Sequence, residues 1–75
     1  MAQISYTIVG ESGFNVATGE VYIKPGRCIA SIVAGICDNV NPLWAYVWIS
    51  GLIDGDYLPA FYISNSRHSK VARLN

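Results

Sequence analysis

Residues 43–50 read LWAYVWIS, and they constrain the fold more than any other stretch. Side chains on a strand alternate between faces, so Leu43, Ala45, Val47 and Ile49 share one side and Trp44, Tyr46 and Trp48 the other. A strand that is aliphatic on one face and aromatic on the other needs neighbours for its backbone and a cover for at least one face. The rest of the chain must supply both.

Glycine and proline divide that remainder into short pieces. Residues 4–9, ISYTIV, alternate around β-branched and aromatic residues and predict a strand. Residues 10–20, GESGFNVATGE, hold three glycines, a serine and an asparagine and predict a long hairpin-like loop. VYIKPG then ends on Pro25-Gly26, a tight-turn dipeptide. Residues 28–36, CIASIVAGI, are apolar throughout; the β-branched content favours a strand, and a short buried helix competes because periodicity does not separate the two in so short a run. Ser50-Gly51 and Asp54-Gly55 are turn signals, the second a strong hairpin dipeptide. Pro59 has no N–H for a ladder, so pairing is expected to stop near Leu58, with a tight helical turn through Ala60 and Phe61 before a last short strand.

The expected architecture is all-β, a small five-stranded antiparallel barrel over residues 1–64 followed by a basic tail, 65–75. Seventy-five residues allow one domain, and a composition 52% hydrophobic and 13% charged describes a packed globule with apolar surface to spare.

Net charge is zero, with +3 in the tail from Arg67, Lys70 and Arg73 and −3 in the body, so general attraction to nucleic acid or anionic lipid is not expected. The longest apolar stretch falls far short of the roughly 20 residues that span a bilayer. The first ten residues lack the pattern of a secretory signal, which points to a cytoplasmic location, with association with a virus particle also open. Along one extended strand Cys28 and Cys37 would lie about 30 Å apart. Without a fold-back they form no disulfide, and reduced, buried thiols are the expectation.

Little in the chain points to catalysis. The single histidine, His68, lies in the polar tail without a neighbouring cysteine or carboxylate. Asp54 and Asp56 lack the further acids of a calcium loop and are explained by turn chemistry. GESG and ATGE lack the lysine and following helix of a phosphate-binding loop. No enzyme activity, metal or cofactor is expected.

One family pattern does emerge. Lys24-Pro25-Gly26 is similar to the turn that leads into an apolar strand in Src-homology-3 domains, Trp44 stands where a tryptophan opens the next strand, and Tyr57, Leu58, Pro59 and Tyr62 follow at the family's spacing. The resemblance covers residues 24–64. The family's first-strand signature is missing, since ISYTIVG offers only Tyr6, and Asp56 separates Gly55 from Tyr57. The resemblance implies a groove of Trp44, Pro59 and Tyr62, with Tyr6 on one wall, that takes extended polyproline-type peptides. Glu11 and Glu20, in the loop before it, would select a basic ligand residue.

The expected function is a non-catalytic module that binds a peptide or protein partner through this groove. A second expectation is a self-assembling structural subunit, of a virus particle for example, whose homo-oligomer interface is the face of Trp44, Tyr46 and Trp48. A third, minor one is single-stranded nucleic-acid binding by the basic tail beside exposed aromatics.

Overall fold

The computed structural model describes residues 2–24 and 26–65. Four strands and one helix follow in the order β1 (Ala2–Val9), β2 (Asn15–Ile23), α1 (Ile29–Val40), β3 (Tyr46–Ile53) and β4 (Asp56–Ser64). The strands form one sheet in the order β2-β1-β3-β4, and every neighbouring pair is antiparallel. The fold is therefore β-rich, but the sheet stays open. β2 and β4 are its two edges, so no barrel closes.

The missing strand is a helix. Residues 29–40 form α1, and the reason lies in its few non-aliphatic positions. Ser31, Gly35 and Asn39 recur every fourth residue and are the exposed side, while Val33 and Cys37 on the opposite side are buried. A cover of β-branched residues hides this period in a run so apolar. The helix is what allows β2 and β3, both antiparallel to β1, to run parallel to each other on its two sides.

The core fills the space between the helix and one face of the sheet. Ala2, Ile4 and Ile8 of β1, Ile23 of β2, Val47 and Ile49 of β3, and Val33 and Cys37 of α1 form it together with Trp44. Its strand members obey the period of two that the sequence shows.

β2 begins inside the segment expected to be a loop. Only residues 10–14 turn the chain, held by Gly10 N–H to the Phe14 carbonyl and Gly13 N–H to the Gly10 carbonyl, each 3.0 Å. Gly19, which reads as a loop residue, sits mid-strand because its partner Tyr6 lies over it: a Cβ there would run into the Tyr6 hydroxyl and stand 2.6 Å from Cζ. The ring of one strand replaces the side chain missing from the other.

Asp54-Gly55 makes the expected two-residue hairpin, with φ of 49° and 84° and Ile53 paired to Asp56. Pro59, by contrast, does not end the pairing. β4 runs on to Ser64, and the register shifts between Ile49 and Gly51 instead of breaking into a helical turn. An edge strand tolerates this, since a proline at a bulge removes a donor that the ladder does not use.

Candidate functional site

The sheet face turned away from α1 has no second layer among the described residues. Its side chains follow from the register as four rungs running from β4 to β2: Ser64, Tyr46, Val9 and Asn15; then Tyr62, Trp48, Thr7 and Thr18; then Ser50, Ser5 and Glu20; and last Tyr57, Leu52, Gln3 and Tyr22. The centre is small and hydroxylic. Aromatic rings stand at the outer corners.

Tyr46, Trp48 and Tyr62 make the densest of these groups. Trp48 and Tyr62 are cross-strand partners with ring centroids 5.2 Å apart, and Tyr46 meets Trp48 edge-on at 6.4 Å and Tyr62 at 5.9 Å. These are the separations at which tilted and edge-to-face rings attract. They bound a shallow depression of about 360 Å³, and Trp48 and Tyr62 remain 44% and 57% exposed. A second depression of about 300 Å³ lies further along the face, between Gln3, Ser5, Ser50, Gly51, Leu52 and Tyr57.

The face is nearly uncharged. Glu20 is its single ionisable acid or base in the rungs, and neither Lys24 nor Arg27 belongs to them. A surface of rings, leucine and hydroxyls without cations is suited to another protein surface and poorly suited to a phosphate backbone, whose binding rests on lysine and arginine.

The residues singled out in the sequence are dispersed. Trp44 precedes β3 and is only 2% exposed; its indole Nε1 donates to Asp38 Oδ1 at 2.9 Å, which ties the end of α1 to the entry of β3. The alternation that placed Trp44 beside Tyr46 and Trp48 fails because Trp44 and Ala45 are both buried in a connection and not in the strand. Tyr6 belongs to the helix side, over Gly19. Pro59 is exposed at the β4 bulge and Tyr62 stands on the open face, so Tyr6, Trp44, Pro59 and Tyr62 share no surface. Of the expected oligomer face, Tyr46 and Trp48 are present and Trp44 is replaced by Tyr62. Glu11 is exposed in the β1–β2 turn and Glu20 on β2. The basic tail lies outside the described residues, and with it His68.

Among the described residues Asn65, just past β4, is the buried polar one, donating from Nδ2 to the Pro42 carbonyl at 3.0 Å. Together with Trp44 it fixes the 41–45 connection that delivers Tyr46 to the open face. Among the described residues no cluster of histidine, cysteine, aspartate or glutamate has the makings of a metal site, and no helix is long and apolar enough to cross a membrane.

The two thiols differ. Cys37 is buried, and desolvation, helped by the neighbouring Asp38 charge, pushes its pKa up to about 11. Cys28, expected to be buried, is exposed at the start of α1, where Ser31's side chain and then the first-turn amides lower its pKa. Comparison of the chain with family models, curated proteins and solved structures finds no match.

Proposed function

We propose that this protein is a non-catalytic interaction module that docks a protein partner on its open sheet face, through Tyr46, Trp48 and Tyr62. One observation carries the reading: three rings in mutual contact, two of them about half exposed, project from a sheet whose other face already holds the core. A monomer gains nothing from leaving such a group in water, and exposed aromatic patches mark interfaces. Aromatics are enriched at the centres of protein interfaces because they bury large areas with few torsions to freeze. At about 25 cal/mol per Å², covering even 150 Å² of ring surface contributes roughly 4 kcal/mol before the costs of association.

The Src-homology-3-like version of this module, with a polyproline groove, receives no support from the placement of Trp44 and Tyr6. Neither does nucleic-acid binding by this face, which lacks cations. The partner is a protein surface with complementary apolar and hydroxylic groups.

Immobilised wild-type protein and the Trp48→Ser, Tyr62→Ser double variant, presented with the same lysate, test the proposal. A protein held by the wild type and lost by a double variant of unchanged circular dichroism supports it. Equal retention by both moves the docking site elsewhere.

A further inference from the structure

The two edges of the sheet differ. β4 carries Pro59 and a register shift near its middle, both of which discourage another strand from adding there. β2 has neither: nine residues, no proline, no lysine or arginine, and one irregularity confined to its first residues. No described residue pairs with its outer side. An edge this long and regular is a template for strand addition unless something covers it.

We propose that β2 is a self-association edge, pairing antiparallel with β2 of a second copy about a two-fold axis through Gly19. The sequence of the strand selects this occupant and this register. β2 spans Asn15–Ile23 and Gly19 is its midpoint, so only this register overlaps the full length of both strands. Over the regular part of the strand it sets Thr18 against Glu20 and Ala17 against Val21, each pair on one face of the sheet because partners about the axis share parity, while Val16 and Asn15, at the irregularity, fall opposite Tyr22 and Ile23. Ala17 thus meets Val21, and each Glu20 meets a hydroxyl.

Neighbouring registers are worse. Centring on Glu20 places the two carboxylates directly opposite each other, and centring on Thr18 sets Glu20 against the apolar Val16. Gly19 at the axis leaves room at the point of closest approach, where each copy's own Tyr6 already lies over it.

The consequence is a continuous eight-stranded sheet with both helices on one side and both open faces on the other. β3 of one copy stands five strand spacings from β3 of the second, about 24 Å at ~4.8 Å per strand. The two ring clusters would face the same way, so a repetitive partner would be held at two points. That last step rests on the proposed docking face; the pairing itself does not.

Light scattering of the full chain over a hundredfold concentration range tests the pairing, with Thr18→Glu, Thr18→Lys and the Trp48→Ser, Tyr62→Ser double variant measured beside it. The wild type is expected at twice 8.2 kDa. Thr18→Glu sets an acid opposite the second copy's Glu20, twice per dimer, and should weaken association by about fivefold or more, while Thr18→Lys keeps or tightens it. The double variant should remain dimeric. A monomer at every concentration overturns the proposal, as does a dimer indifferent to the charge at position 18 or one abolished by the ring substitutions, which would make the open face the self-interface. Circular dichroism of each variant separates loss of association from loss of fold.

Discussion

The indole of Trp44 donates to the carboxylate of Asp38 across six residues, at 2.9 Å, from a ring that is itself buried to a carboxylate that is only partly so. The two tryptophans of this chain consequently have opposite roles. Trp44 holds the end of α1 to the start of β3, and Trp48 is presented to solvent.

Trp44→Ala should cost about 3–5 kcal/mol, the usual range for truncating a buried tryptophan, and in a domain of this size that is a large share of the total stability. Trp44→Phe keeps most of the buried ring and loses the bond, for about 1–2 kcal/mol. Trp48→Ser, which loses the contacts of a half-covered ring with Tyr46 and Tyr62, should cost about 1–2 kcal/mol, less than Trp44→Ala. Urea unfolding of the three variants checks the order; equal losses at positions 44 and 48 would mean that Trp48 is also covered.

Gly51 tolerates no side chain. A Cβ there collides with the Gln3 carbonyl oxygen and stands 3.0 Å from the Ile4 Cα, both backbone atoms of the central strand β1. Gly51→Ala should therefore destabilise by about 2–4 kcal/mol, as overpacking against an unyielding backbone does. Gly35→Ala, on the exposed side of α1 with open space around it, should instead stabilise by up to ~1 kcal/mol. Thermal denaturation of the pair reads both signs.

The thiols should separate by reactivity. At pH 8 in the folded protein iodoacetamide is expected to modify Cys28 and leave Cys37 unmodified until the chain is unfolded, because the first is exposed with a lowered pKa and the second is buried with a raised one. Mass spectrometry of intact protein shows one adduct before denaturation and two after.

Cys37 also makes stability depend on pH. The folded protein holds its proton up to about pH 11 and the unfolded chain releases it near 9, so the unfolded state binds fewer protons between those values. Stability from this group is complete below pH 9 and is lost as pH rises towards 11. Cys37→Ala should be less stable at neutral pH, through its cavity, and should show a shallower decline from pH 9 to 11 than the wild type.

How much of this is legible in the sequence follows from where a single local rule decides. The alternation in β1 and from Tyr46 to Ile49 and the Asp54-Gly55 hairpin depend on neighbours one or two residues away, and the structure keeps them, whereas Ser50-Gly51, a turn signal in the sequence, lies inside β3. The helix was obscured because its period is carried only by Ser31, Gly35 and Asn39 against a uniformly apolar background. Gly19 looks like a loop residue until the distant Tyr6 is laid over it. Trp44 continues the alternation of Tyr46 and Trp48 in sequence but precedes the strand in space, so the aromatic stripe was legible and its membership was not. Tyr62 joins it through pairing that no local pattern encodes.

The docking face itself is tested most directly by fluorine NMR of protein labelled with fluorotryptophan, recorded alone and with whichever protein the wild-type face captures. Two resonances are expected, one from buried Trp44 that is insensitive to exchanging water for deuterium oxide and one from Trp48 that responds to it. Binding should shift the Trp48 signal and remove its solvent response while Trp44 stays unchanged. A bound complex in which Trp48 keeps the shift and solvent response of the free protein would mean that the partner docks elsewhere than on the ring cluster.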